Sequence, residues 1–315
     1  MNELIKVDQQ EALAEQAVIS VDIYEYFLTS LKGTAKPRTI DTYRKALKQM
    51  RAFLESRSIM QPVRGDMITF LEDLRATGHK PATVTAYLAA AKAFFKWAET
   101  ERIYPNIANG IKGATLDRAH KKDYLTSRQI KTVLAGIDRY TLQGKRDFAM
   151  LAAMVTCGLR TIEVSRANIG DIRTAADNVV LYVQGKGRDE RTEYVKLDAQ
   201  VESFIREYLK ARGESNPEAP LFASLSHNSM GQRMTTRAIS GIAKQAMCDA
   251  GYNSDRLTAH SLRHSAVTLA LLNGRPLDEV QQFARHRDIS TTMIYNHAIE
   301  QAKNQCSEVI SKAIF

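Results

Sequence analysis

Five short stretches in the second half of the chain hold side chains suited to chemistry at a phosphate ester. They are CGLRTIEV, with Arg160 and Glu163; QGKGR, with Lys186; HSLRH, with His260 and Arg263; ARHRDISTT, with His286; and MIYNH, with Tyr295. A phosphodiester is an anion, and attack at phosphorus builds further negative charge on its nonbridging oxygens. Planar guanidiniums match those oxygens in bidentate pairs better than an ammonium does. Taken singly, each stretch has an ordinary explanation. An arginine after a Gly-Leu turn commonly caps a helix, a lysine in a hairpin turn is commonly solvated, and a helical histidine is commonly packed. One tyrosine among 12 has little claim to be a nucleophile.

In this order and spacing, however, the five stretches resemble the catalytic set of the tyrosine recombinases, also called phage integrases. That family's pattern is an Arg in a G-L-R-x-x-E turn, a Lys between two strands, H-x-L-R-H, a later His, and a Tyr some nine residues beyond it. The matching positions here are Arg160, Lys186, His260 with Arg263, His286 and Tyr295. The helical first half is similar to the family's SAM-like core-binding domain, so the likeness spans nearly the whole chain. Where the family usually has Leu-Gly-His, this chain has Ala284-Arg285-His286, which puts a charged side chain beside the site. The N-terminal extension is also shorter than the arm-binding domain of lambda-like integrases.

The resemblance implies a site-specific recombinase that cleaves and rejoins DNA through a 3′-phosphotyrosine. Arg160 and Arg263 would clamp the phosphate, with His286 as a further donor. An unperturbed phenol with pKa near 10 is ionised about one part in a thousand at neutral pH, roughly 4 kcal/mol of penalty. A base must help, and His260 is the candidate. Lys186, on its hairpin turn, would protonate the leaving 5′-oxygen, and the phosphotyrosine keeps the bond energy for resealing. Neither cofactor nor metal is expected, and no Walker A loop or clustered carboxylate site is visible. Glu163 is expected to hold the arginine turn, His264 to pack or hydrogen-bond within its helix, and His297 to point away from Tyr295.

The elements that must position these residues are mostly helical. Residues 1–17 read as an extension, 18–110 as the core-binding domain, 111–122 as a basic polar linker, and 123–315 as the catalytic domain with a tail helix. In the first domain, one helix is expected after an N-cap at Thr39, burying Ile40, Tyr43, Leu47, Met50 and Leu54. A second, from about Pro81 to Glu101, buries Val84, Tyr87, Leu88, Ala91, Phe94 and Phe95. A shorter helix between them ends at Gly78. Arg44, Lys45, Lys48, Lys92 and Lys96 lie off the apolar stripes and are candidate DNA contacts, as are Arg237 and Lys244 in the second domain. The apolar run Phe148–Leu159 is too short to span a bilayer and reads as buried helix. A hairpin is expected from Asn178–Val183 and Glu193–Leu197, making the fold class mainly α with a small antiparallel sheet.

The whole-chain numbers agree. A length of 315 residues favours two domains, and a net charge of +9 favours a polyanionic partner. The partner expected is double-stranded DNA carrying specific sites. Three scattered cysteines, with no CxxC, fit a reducing cytoplasm rather than a disulfide framework. Beyond Tyr295, the stripe Ile299, Ala302, Cys306, Val309 and Ile310 reads as a tail helix that folds back in cis or, as the resemblance implies, docks on a neighbouring protomer in a DNA-bound homotetramer. An accessory protein or partner recombinase is compatible with the chain, and no membrane is expected. Two alternatives stay open: a type IB topoisomerase with the same tyrosyl chemistry, and a DNA-binding protein that has lost catalysis. Within recombinases, dimer resolution, element integration or excision, and cointegrate resolution all suit a chain of this size.

Overall fold

The computed structural model describes residues 21–113, 123–185 and 190–315. The chain divides into two compact units, Met1–Asp117 and Arg118–Phe315. The 1–17 extension, most of the 111–122 stretch and Lys186 lie outside the described residues.

The first unit contains α1 (Val21–Ser30), α2 (Pro37–Ser56), α3 (Arg64–Ala76) and α4 (Pro81–Thr100). Helix α2 begins earlier than the expected cap at Thr39. Pro37 takes the first helical position after an extended Lys36, where its fixed φ is already helical and its missing N–H is no loss. Pro81 after Lys80 starts α4 in the same way. Gly78 (φ 80°) closes α3 in the left-handed conformation, and the His79 N–H bonds back to the Leu74 carbonyl at 3.0 Å. The expected stripe residues Leu47, Met50 and Leu54 are buried against Val84, Leu88, Ala91, Phe94 and Phe95, whereas Ile40, Tyr43 and Tyr87 lie at its margin. Ile111, at the start of the stretch read as linker, also packs into this core.

The second unit begins with α5 (Ser127–Ala135), whose Thr126 cap exchanges hydrogen bonds with Gln129. The apolar run forms most of α6 (Leu142–Thr156), a central helix packed against α8 (Ala199–Arg212) and α10 (Ala259–Leu272). Between them lie α7 (Thr161–Arg166) and a three-stranded antiparallel sheet, β1 (Ile172–Ala175), β2 (Asn178–Val183) and β3 (Glu193–Lys196), in that order. The β2–β3 hairpin matches expectation, with Leu181 opposite Val195. Strand β1 was not expected. Its turn is Ala176-Asp177, both at positive φ (44° and 59°), a hairpin geometry usually marked by Asn-Gly. Then come α9 (Thr236–Asp249), α11 (Leu277–Ala284), α12 (Ser290–Lys303) and α13 (Cys306–Ile314). Among the described residues, no helix is long and apolar enough to cross a membrane.

Candidate active site

Two chain turns and two helices, α10 and α12, come together at the site. The first turn follows α6, where Gly158 (φ 58°) reverses the chain against the Phe283 ring. A Cβ there would crowd that ring at 3.1 Å, and the positive φ itself favours glycine. The turn delivers Arg160 to the N-cap of α7. Glu163, fully buried, reaches back to the Arg160 backbone N–H at 2.8 Å and takes the Arg160 guanidinium at 2.7 Å. Arg263, on α10, is 1% exposed and donates to the carbonyls of Gly158 and Ala284, tying the first turn to the end of α11. The second turn follows α11, where Arg285 adopts the left-handed conformation (φ 52°, ψ 44°).

His286 follows at once, its Nδ1 paired with the buried Thr292 Oγ1 at 2.8 Å. A Thr292 hydroxyl that donates to Nδ1 leaves the ring proton on Nε2, where it can serve as a donor. Thr292 and Tyr295 both come from α12. Tyr295 is 6% exposed, packed with Val267, Leu271, Val280, Ala284 and Ile299. Its hydroxyl shares a hydrogen bond with His264 Nδ1. The His286 ring lies nearly parallel to it, centroids 6.3 Å apart, and the His260 and His264 rings meet edge to face at 4.4 Å.

Burial and the arginines set the electrostatics. Burial pushes the Tyr295 phenol up to about 12, and the Arg263 and Arg160 cations pull against that rise. Burial, followed by Arg263, Arg160 and Arg285, lowers His286 to about 4, so its imidazole is neutral at neutral pH. Burial works to raise the Glu163 carboxyl, but the Arg285 cation and the Arg160 N–H and guanidinium outweigh it and hold the pKa below the usual carboxylate value. Arg263 is lowered by burial and by its arginine neighbours, yet a guanidinium remains protonated at neutral pH. The pocket is therefore cationic, with a proton donor on His286 and a phenol whose ionisation is opposed by its own burial.

Residues 123–302 match the phage integrase family, and residues 23–102 match the N-terminal SAM-like domain of phage integrases. The chain belongs to the phage integrase family. Tyrosine recombinase XerD of Listeria innocua is 27% identical, over 88% of this chain and 93% of its own length. A tyrosine recombinase of Synechocystis sp. is also 27% identical, over 89% and 93%. In fold, the chain resembles XerH site-specific recombinase bound to palindromic difH substrate, with a TM-score of 0.71 and 22% identity, covering 86% of this chain and 80% of that one. It also resembles a lambda integrase dimer bound to a COC′ core site, with a TM-score of 0.67 and 15% identity, covering 85% and 95%. The protein is thus a site-specific tyrosine recombinase.

Of the site residues expected in this recombinase, Arg160, Arg263, His286 and Tyr295 converge in one pocket. His260 is exposed beside them and touches His264 rather than lying alone. Lys186 lies outside the described residues, but the described chain on either side of it is tied to α7. The Arg166 guanidinium donates to the Gly185 carbonyl (3.1 Å), and Arg191 donates to the Arg166 carbonyl (3.0 Å). In the first unit, Arg44, Lys45, Lys48 and Lys96 are exposed and Lys92 is half-buried, with Lys45 paired to Asp41 at 2.9 Å. Arg237 is exposed on α9, whereas Lys244 donates to the Ser254 carbonyl at 2.7 Å.

Two participants escaped the sequence reading. His264, expected to pack or bond within its own helix, bonds across to Tyr295. Its spacing of four residues from His260 on one helix face was the available signal. Arg285, read only as a charged side chain beside the site, lies there as expected, but it is paired with Glu163 and its side chain is only 3% exposed.

Proposed function

We propose that the recombinase binds specific sites in double-stranded DNA, cuts each strand with Tyr295, and passes the 3′ end to a new partner. The convergence of Tyr295, two arginines and a neutral histidine from two turns and two helices carries this reading. Tyr295 Oη attacks phosphorus, the Oη–P bond forms, and the P–O5′ bond breaks. The phenol proton passes to a histidine; the His264 contact favours His264 for that step, with His260 behind it. The leaving O5′ takes a proton from Lys186. Resealing is the reverse with a different 5′-hydroxyl: the new O5′–P bond forms, the Oη–P bond breaks, and Tyr295 regains its proton. Arg160, Arg263 and Nε2 of His286 hold the nonbridging oxygens throughout.

Arg44, Lys45, Lys48, Lys92, Lys96 and Arg237 serve as phosphate contacts that set affinity more than sequence preference. Lys244 serves there only if it releases Ser254. The tail acts between subunits of a homotetramer. Its stripe divides in two: Ile299 is buried in its own unit, while Val309 and Ile310 on α13 are 64% and 57% exposed and available to a neighbouring protomer. The cytoplasm is the compartment this reading implies.

Covalent capture from a nicked random-duplex library tests the reading. The expected result is one captured sequence family, with recombinants formed between two copies placed on a plasmid. Capture without sequence preference, with relaxation of any plasmid, would instead identify a type IB topoisomerase activity.

A further inference from the structure

Arg285 stands where a glycine would be the natural residue. It follows the last turn of α11 at φ 52°, a conformation that strains any residue with a Cβ. Its Nε is buried with no acceptor among the described residues, a second unfavourable feature at one position. Its other atoms are bonded into the surroundings of the pocket's arginines. Nη2 takes the Glu163 carboxylate at 2.8 Å and the Gly158 carbonyl at 3.0 Å, the same carbonyl that Arg263 uses. Nη1 holds the Phe283 carbonyl at 2.8 Å. The Arg285 carbonyl, aimed by the left-handed backbone, receives Arg160 Nη2 at 3.1 Å.

We propose that Arg285 is a positioning residue for strand cleavage: its guanidinium occupies one oxygen of Glu163, leaves the other to orient Arg160, and restores the positive charge that Glu163 would otherwise cancel. The charge count supports this. Arg160, Arg263 and Glu163 sum to +1, and Arg285 raises the sum to +2. Each Glu163 oxygen then faces one guanidinium, Oε1 to Arg160 and Oε2 to Arg285. Arg285 therefore acts on the phosphate through Arg160, without touching it. In a water-poor pocket one added charge is felt strongly by a dianion-like transition state.

The proposal rests on Tyr295 cleaving a phosphodiester, and the test keeps the two claims apart. Single-turnover adduct formation is followed on a captured nicked site for the wild type, Arg285→Gly, Arg285→Lys and Tyr295→Phe. DNA affinity and melting temperature are measured in parallel. Arg285→Gly should cleave about 10- to 100-fold more slowly, below the loss expected for a direct donor. Its DNA affinity should be unchanged. Arg285→Lys should recover part of the rate, because it keeps the charge without the second donor arm. On a site whose scissile phosphate is a neutral methylphosphonate, the Arg285→Gly defect should shrink, since less charge needs compensation. A defect of equal size on both substrates would reduce Arg285 to packing and overturn the proposal. So would wild-type cleavage by Arg285→Gly, or a lysine variant as slow as the glycine one. Absence of an adduct from the wild type itself would overturn the cleavage reading and this proposal together.

Discussion

Glu163→Ala should destabilise the second unit severely, for a reason visible in the charge arrangement. The carboxylate is fully buried between Arg160 (2.7 Å) and Arg285 (2.8 Å), and the Arg285 side chain is only 3% exposed. Removing it leaves a buried guanidinium facing two others without a counter-charge, a situation that costs about 3–5 kcal/mol. The unit Arg118–Phe315 is of a size for which each kcal/mol moves the melting temperature by roughly 2–4 °C. Scanning calorimetry of the full chain should therefore show the second unit's transition falling by about 6–20 °C. The double variant Glu163→Ala with Arg285→Gly removes the orphaned cation and relieves a left-handed backbone worth about 1–2 kcal/mol. It should melt well above the single variant, a large coupling in a double-mutant cycle. A single variant within about 2 °C of wild type, under 1 kcal/mol on the same scale, would refute the buried-pair argument. So would a double variant no more stable than the single one.

Other outcomes follow from the same pocket. Arg160→Ala and Arg263→Ala should each slow cleavage by about 100- to 1000-fold, and rates within tenfold of wild type would remove that arginine from the clamp. His264→Phe should lower the cleavage rate more than His260→Ala if the proton leaves through the observed hydrogen bond, and the reverse ranking would return the base to His260. His286 is depressed from 6.5 to about 4, so the unfolded chain binds the extra proton first. Its contribution to stability is present above pH 6.5 and is lost as pH falls toward 4. The melting temperature should drop across that window and drop less in His286→Asn; equal slopes would contradict the assignment. Lys186→Ala should cleave a 5′-bridging phosphorothiolate at near the normal rate, because sulfur leaves without an acid, and a defect as large as on oxygen would exclude the general-acid role.

Much of this was legible in the sequence because periodicity and short motifs are local signals. The stripes of α2 and α4, the buried run of α6 and the β2–β3 hairpin all follow from residue spacing. Features set by backbone conformation or by distant contacts were not legible. Strand β1 depends on Ala176 and Asp177 accepting positive φ, stabilised by Asn178 donating to the Ala176 carbonyl at 2.6 Å, and neither residue announces such a turn. The inward turn of Arg285 required knowing that Glu163, 122 positions away, lies within reach. His264 reads in sequence as a helix neighbour, and its bond to Tyr295 exists only because α12 packs over it. The tail read as one stripe, but Asn304 breaks it by accepting from the Cys306 N–H at 2.8 Å, so its two halves have different surroundings.

The covalent bond to Tyr295 tests the central claim most directly. Burial holds that phenol at about 12, so at pH 7 about one molecule in 10⁵ is ionised, an intrinsic penalty of roughly 7 kcal/mol that the base and the clamp must offset. A nicked site that loses its short 5′ fragment on cleavage traps the intermediate. Proteolysis and mass spectrometry of the trapped complex should find the nucleotide phosphate on the peptide containing Tyr295, and Tyr295→Phe should form no adduct. A phosphate on another residue, or an adduct of undiminished yield from Tyr295→Phe, would contradict the account.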